Sequence, residues 1–365
     1  MSDVVFILGA GASRKCGAPL MYDFLDTARD LWAANKVSGK EEHFERVFRA
    51  IGGLQQVHSK ARLDLTNLES IFTTFELGRV IQRIPGLGNV TEIEATIASL
   101  KTVIVETLET TMRYPLVGRK YHPPEPYESF VDLVVALRGK AHPRKSVSVV
   151  TFNYDVAADL ALYYAGLGPN YVLDKPPHHN GDPVNLLKLH GSLNWATHVD
   201  EKGDKSVIPM HMAEYMSWTT TPMFTEEGSI RLPVGSQLAK LIIDQKKMLV
   251  GPEPLIVPPS WNKADYHHQL SQVWAAAAQE LSGAESIYII GYSLPETDSF
   301  FRNLYALGCV GQSMLRRIVV YNPEAVGGGV DARFRALLGP GAEARYSYEP
   351  RPFDDAIRHI QTNYV

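Results

Sequence analysis

The chain predicts an α/β fold: a Rossmann-like parallel sheet with helices on both faces, interrupted by a helical insertion. Three observations predict it. "VVFILGAGAS", Val4 to Ser13, is an unbroken β-branched and apolar run closed by a glycine turn, the pattern of a strand buried on both faces. Between Tyr22 and Pro143 strand character is lost and helical periodicity takes over. From residue 144 onward, short apolar runs alternate with amphipathic stretches, the rhythm of right-handed βαβ units. The expected division is therefore 1–21 with 144–365 as the sheet domain and 22–143 as the insertion.

Bulk properties narrow the function. The 365 residues are 45% hydrophobic and 21% charged, ordinary for a soluble globular chain with room for one large domain and an insert. A formal net charge of -4 gives no global field to recruit nucleic acid, and the basic cluster "RGKAHPRK", Arg138 to Lys145, reads as a solvated loop. The only cysteines are Cys16 and Cys309, which excludes a four-cysteine zinc site and a disulfide framework and fits a reducing compartment. Asp3 and the early Gly9 argue against a signal peptide, and no apolar run reaches membrane-spanning length, so a cytoplasmic protein without a membrane partner is expected.

The elements follow in order. In the insertion, "TEIEATIASLKTVIVETLETTM" carries Ile93, Ile97, Leu100, Ile104 and Leu108 on one face, with Thr91 and Glu94 as a capping box. Leu68 to Ile84 and Tyr127 to Gly139 read as further helices. Strands return at "SVSVVTFNYD" (Ser146 to Asp155) and "NLLKLHGS" (Asn185 to Ser192), separated by the helical "VAADLALYYAGLG". The stretch 194–247 lacks periodicity and reads as a loop-rich, irregular cap. After it come "PLIVPP", a helix around "YHHQLSQVWAAAAQELSG", the strand "ESIYIIGYS", a helix "TDSFFRNLYALG" and the strand "LRRIVVYN".

In open parallel sheets, ligands bind outside the carboxyl ends of the strands. Five predicted strands end in glycine or small polar groups: "GAGAS", "TFNYD", "LHGS", "GYSLPETD" and "YNPE". Singly each has a plain explanation. Asn153 could form an Asx turn, His190 could be a satisfied strand-end histidine, Ser293 a helix cap and Asn322 a loop residue before proline. Gly9 and Gly11 suit close backbone approach of a phosphate or ribose, but the third glycine of the dinucleotide fingerprint is absent, because Arg14 stands there. Recurrence of such ends on strand after strand points to one shared crevice.

The ordered set "GAGAS" with "GAP" (Gly17 to Pro19), "TFNYD", "KLHGS", "IIGYSLPETD" and "VVYNPE" resembles the sirtuin superfamily, more closely its bacterial sirtuin-like NAD-consuming branch linked to phage defence. The resemblance implies that Gly9, Ala10, Gly11, Ala12 and Ser13 hold the pyrophosphate and ribose of NAD and that Pro19 lines the nicotinamide side. It implies that Asn153 and Asp155 match the family's Asn and Asp, with Phe152 in place of the family's glutamine. His190 matches the general base, Gly291 and Ser293 contact the adenosine half, and Asn322 lies near the adenine ribose. NAD is then a substrate.

Departures refine this. Sirtuin deacylases carry a four-cysteine zinc module after the His-Gly pair, whereas residues 192–247 contain no cysteine, so neither zinc nor another metal is expected. "LMYDF" replaces the family's acid-Phe-Arg. Pro258 and Pro259 in "PLIVPPSWNK" lack the N–H groups that would bind an added peptide strand. The expected reaction is hydrolysis of NAD to nicotinamide and ADP-ribose. Nicotinamide leaves as its own cation-derived neutral, so an orienting amide (Asn153) and a near-neutral base (His190) suffice. The alternatives are NAD-dependent deacylation or ADP-ribosyl transfer, and a non-catalytic NAD or ADP-ribose sensor. The resemblance further implies a homo-oligomer and a separate sensor or activator, a DNA-translocating ATPase or a short Argonaute. His178, His179 and Asp182 form a poor metal template on an irregular loop, His267 and His268 face different sides of a helix, and Trp195, Trp218, Trp261 and Trp274 read as core or cap residues.

Overall fold

The computed structural model describes residues 2–37, 39–55, 63–118, 120–139, 144–173, 183–199, 205–218, 229–246, 253–257, 264–296, 298–308 and 314–365. Its strands in chain order are β1 (Val4–Leu8), β2 (Tyr114–Val117), β3 (Lys120–Tyr121), β4 (Val147–Thr151), β5 (Pro169–Asn170), β6 (Val184–Lys188), β7 (Gly191–Val199), β8 (Lys205–Pro209), β9 (Ser229–Ile230), β10 (Glu253–Ile256), β11 (Ser286–Ile290), β12 (Arg317–Tyr321) and β13 (Tyr346–Glu349). Seven of them form one sheet in the order β13-β12-β11-β1-β4-β6-β5, and every pairing in it is parallel. The α/β sheet read from the sequence is thus the observed one.

The five residues of β1 are all buried, as two-sided coverage requires. Phe6 shows how the faces are covered: its ring meets Phe130 edge-on at 5.0 Å and stacks on Tyr288 at 5.3 Å. Each such ring adds roughly 1.5–3 kcal/mol by leaving water. Phe130 belongs to the helix Tyr127–Gly139, at the end of the stretch read as insertion, and its ring also meets Phe353 of the C-terminal helix Phe353–Tyr364. In the stretch read as insertion, the long helix Val90–Thr111 buries Ile93, Ile97, Leu100, Ile104 and Leu108, the face its periodicity marks.

The winding places the site. From β1 the chain passes to β4, then to β5 at the edge and back to β6 between them on one side, and from β11 outward through β12 and β13 on the other. The direction reverses between β1 and β11, and such a switch point leaves a crevice at the strand carboxyl ends. Register makes those ends level: Leu8 pairs with Thr151 and Ile290, Thr151 with Lys188, Ile290 with Tyr321, and Tyr321 with Glu349. The residues after each strand therefore emerge in one row.

Three local readings change. The helix after Gly88 is capped by Asn89, whose side chain accepts from the N–H of Glu92 at 2.9 Å, while Glu92 accepts from the N–H of Gly88 at 2.6 Å. The capping pair is Asn89 with Glu92, and Thr91 and Glu94 lie inside the helix, because an asparagine side chain reaches the exposed N–H groups as well as threonine does. "NLLKLHGS" is two strands: β6 stops at Lys188 and β7 begins at Gly191, whose φ of +83° turns the chain into a different sheet. The segment 194–247, read as irregular, contributes to β7 and carries β8, β9 and the helices Met212–Trp218 and Val234–Lys246. β7 lies between β10 and β8 in a three-stranded antiparallel sheet, and β9 joins β2 and β3 in another. β7 and β8 pair as neighbours in the chain, but β7 also takes β10 and β9 takes β2 from far away, and none of them carries a clean alternation of apolar and polar residues that would betray a strand.

Candidate functional site

A cleft of about 680 Å³ lies above the switch point. Ala10, Gly11, Ala12, Ser13 and Pro19 line it from the β1 side, Asn153 and Asp155 from the end of β4, and His190 from the end of β6. Gly291 and Ser293 follow β11, Asn322 follows β12, and all three face the same space. Gly9, expected to touch the ligand, is not among the residues that line the cleft.

The two glycine turns interlock. Gly11 donates its N–H to the carbonyl of Gly291 at 2.9 Å, and Gly9 donates to Ile290 at 3.0 Å. A side-chain carbon on Gly9 would lie 2.5 Å from the Cα of Tyr292, and one on Gly11 would lie 2.8 Å from the Gly291 oxygen. Gly291 has φ +65°, and a Cβ there would strike the backbone at Gly11 and Ala12. The bare backbone of Gly9 and Gly11 thus lets β1 and β11 close against each other. That reason differs from the ligand approach expected of them.

Asn153 is 9% exposed and held on three sides. Its N–H reaches the Thr151 hydroxyl at 3.1 Å, and Thr151 in turn donates to the Leu8 carbonyl. Its Nδ2 donates to the Gly9 carbonyl at 2.9 Å and to Ser13 Oγ at 3.0 Å. With Nδ2 engaged, Oδ1 is the atom of this amide left to accept a hydrogen bond from a ligand. Asp155 accepts from Ser13 Oγ at 2.7 Å and from the N–H of Ala157 at 3.0 Å. Burial pushes its carboxyl above the usual carboxylate range, while the Lys188 ammonium and the Ser13 hydroxyl pull the other way.

Below this floor lies a buried ion pair. Lys188, 1% exposed, donates to Asp159 at 2.9 Å and to the main-chain oxygen of Asp155 at 2.6 Å. Tyr171 donates to Asp159 at 2.6 Å, and Asn194 donates to Tyr171 and to the Met210 carbonyl. These bonds join the end of β6 to the loop after β4. His190, 5% exposed, has the Phe152 ring edge-on at 5.2 Å, and its carbonyl accepts from the N–H of Val257 at 2.9 Å. Phe152 stacks on Tyr292 at 4.1 Å, forming an aromatic wall between the β4 and β11 ends. The Tyr292 hydroxyl donates to Asp298 at 2.6 Å, and burial with that carboxylate keeps the phenol protonated.

At the rim the cations are already engaged. Arg14 pairs with Asp23, Lys15 with Asp354 and Arg351 with Glu349, while Arg333 donates to the Ser293 carbonyl at 3.0 Å. Asn322 accepts from the N–H of Glu324 at 3.0 Å, so its side chain also makes the Asx turn foreseen as its plain reading. Cys16 is a buried thiol whose pKa is pushed upward by burial and by Asp155 and Glu125, which makes it a poor nucleophile.

Sequence reasoning missed Tyr127, Lys188, Asp159 and the rim arginines. Lys188 had a signal: a lysine closing a buried strand demands a partner. Tyr127 had none, since it stands in a helix whose apolar face accounts for it. Residues 174–182, holding His178, His179 and Asp182, lie outside the described residues, as do Trp261, Pro258 and Pro259 and the side chains of Trp218, His267 and His268. Trp195 is fully buried and Trp274 donates to the Leu189 carbonyl, both in structural positions. Among the described residues no group of three or more His, Cys, Asp or Glu side chains could hold a metal ion. Nor is any described helix long and apolar enough to cross a membrane.

No family model matches the chain, and no curated protein matches it. Solved structures do. One is a Sir2 homologue in complex with NAD, 14% identical over 98% of this chain and 89% of that one, with a TM-score of 0.41. Another is Sir2Tm bound to a propionylated peptide, 12% identical over 98% and 92% of the chains, with a TM-score of 0.36. Likenesses this distant assign no function, which has to come from the residues of the cleft.

Proposed function

We propose that the protein hydrolyses NAD to nicotinamide and ADP-ribose. The carrying observation is that an amide, Asn153, and an imidazole, His190, close neighbouring strands β4 and β6 and line one cleft with the glycine turn after β1. The cleft volume of about 680 Å³ falls within the roughly 300–1,000 Å³ that small-molecule sites span. In this reading Ala10, Gly11 and Ala12 hold the phosphate and ribose portion beside Asp155, while Gly9 and Ser13, whose polar groups are engaged by the chain, shape the turn without touching the ligand. Pro19 lines the nicotinamide side, and Gly291, Ser293 and Asn322 take the adenosine half. Asn153 Oδ1 orients the water or ribose hydroxyl, and His190 removes its proton. The Phe152–Tyr292 wall keeps bulk water from the reacting centre.

The wider role we attach to this activity is depletion of a cell's NAD pool in anti-phage defence, by a homo-oligomer under the control of a separate sensor or activator. It rests on the motif resemblance and not on the cleft geometry.

One assay separates the rival chemistries. Purified protein is incubated with NAD labelled in the ADP-ribose half, with and without an acetyl-lysine peptide, and products are followed by chromatography. Hydrolysis gives free nicotinamide and ADP-ribose in both arms. Deacylation gives acetylated ADP-ribose only with peptide, and a sensor gives unchanged NAD. Should activity need a trigger, expression in cells decides: toxicity that disappears with His190→Ala supports the proposal, and equal toxicity of the variant rejects it.

A further inference from the structure

The Ser13 hydroxyl stands at the centre of three hydrogen bonds. It lies 2.7 Å from Asp155 Oδ2, 2.7 Å from the Tyr127 hydroxyl and 3.0 Å from Asn153 Nδ2. A hydroxyl has one proton and two lone pairs. The carboxylate can only accept, so the Ser13 proton goes to Asp155. Tyr127 must then donate to Ser13, and the Asn153 amide donates to the remaining lone pair. Ser13 is saturated by the chain itself, with nothing left for a ligand.

Two acceptors fix which way the Asn153 amide faces: the Gly9 carbonyl and the Ser13 lone pair that this chain of donors leaves open to it. Were the amide flipped, its oxygen would oppose the Gly9 carbonyl at 2.9 Å, two acceptors without a proton between them. We propose that Tyr127 is a positioning residue which, through Ser13 and the Asp155 carboxylate, locks the Asn153 amide with its oxygen turned to the cleft. Tyr127 is nearly fully buried, its Oη is also 3.4 Å from Asn153 Nδ2, and its ring is held edge-on by Phe353 at 5.4 Å. The hydroxyl therefore has little freedom to leave. The inference rests on the hydrolase reading for its kinetic consequence but not for its geometric one.

The lock depends on Asp155 being ionised. A protonated Asp155 would donate to Ser13, filling the lone pair that Tyr127 or Asn153 uses. The titratable groups around Asp155 are Lys188, Asp159, Cys16, Tyr114 and Tyr127, with the Ser13 hydroxyl and the Ala157 N–H bonded to it. Of these only Lys188 brings a positive charge, and burial works against ionisation. Losing the Tyr127 bond weakens Ser13 as a donor to Asp155 and so moves loss of the lock to higher pH.

The test is Tyr127→Phe, which keeps the ring and removes one oxygen, with Ser13→Ala as a second variant. The Asn153 side-chain amide protons are assigned by their absence from Asn153→Ala in a nitrogen-edited NMR spectrum. They should exchange slowly in the wild type and much faster in both variants. For NAD turnover, Tyr127→Phe should lower kcat about tenfold with KM changed less than twofold, and shift the acidic limb of the pH profile upward. An Asn153 amide that exchanges as slowly in Tyr127→Phe and Ser13→Ala as in the wild type overturns the inference, whether or not the protein turns over NAD. A rise in KM with kcat and the acidic limb unmoved overturns it as well. Absence of turnover in the wild type rejects the hydrolase reading alone, and the amide exchange then decides this one.

Discussion

Asn153 Nδ2 lies 2.9 Å from the Gly9 carbonyl, so the loop after β4 is fastened to the turn after β1 by the amide that also lines the cleft. The bond ties the candidate chemistry to the sheet's switch point. A residue doing both jobs should be dispensable for folding, because Thr151 holds the same two strand ends together through the Leu8 carbonyl. Asn153→Ala is therefore expected to lose about 1–3 kcal/mol of stability in urea titration, the usual value of the two hydrogen bonds its Nδ2 makes.

The interlocked turns make a sharper demand. Gly291→Ala adds a Cβ against the Gly11–Ala12 backbone at a φ of +65°, so β1 and β11 cannot close. The variant should lose about 2 kcal/mol or more, read as a lowered urea midpoint, and lose cleft ligand binding with it. Gly339→Ala, where an added Cβ meets nothing within 4 Å, is the control and should leave both unchanged.

The Lys188–Asp159 pair should behave as a unit. Lys188→Met leaves a carboxylate that is 0% exposed without its cation and is expected to destabilise by about 3–5 kcal/mol. Adding Asp159→Asn removes the stranded charge while keeping an acceptor for Tyr171, so the double variant should recover part of the loss. A double-mutant cycle on chemical denaturation measures this, and strictly additive losses would contradict it.

A second ion cluster predicts a pH dependence. Arg231 bonds both oxygens of Glu106 and one of Glu109, and Glu109 also caps the helix Val234–Lys246 through the N–H groups of Gly235 and Ser236. Burial raises the Glu109 pKa and Arg231 opposes that rise. A carboxyl raised in the folded state favours folding at low pH, and that contribution is lost as pH climbs from the ordinary carboxylate range through the folded value. Arg231→Met raises it further, so its stability deficit should grow from pH 5 to pH 8, reaching about 2–4 kcal/mol at the upper end. Thermal melts across that range check the sign.

Much of this was legible in the sequence, for identifiable reasons. Val4–Leu8 and Ser286–Ile290 are buried on both faces, and such strands are unbroken apolar runs that need no context to read. The strand-end residues Asn153, His190 and Asn322 stand out because small polar groups directly after such runs have few uses. Much of what the sequence hid is held by long-range contact: β7 takes β10 as a partner about sixty residues on, and its local hairpin with β8 has no clean alternation to announce it. The Tyr127 hydroxyl reaches Ser13 across a separation of 114 residues, and nothing in the helix Tyr127–Gly139 distinguishes that tyrosine from a core aromatic. Asn89 won the helix cap from Thr91 because the backbone enters the helix two residues earlier than the pattern suggests.

Nicotinamide release under saturating NAD, compared between the wild type, Asn153→Ala and His190→Ala at equal folded protein, tests the account most directly. A wild-type signal that falls by about 10²-fold or more in each variant, with far-ultraviolet circular dichroism unchanged, is the predicted result. An Asn153→Ala protein releasing nicotinamide at the wild-type rate would contradict it.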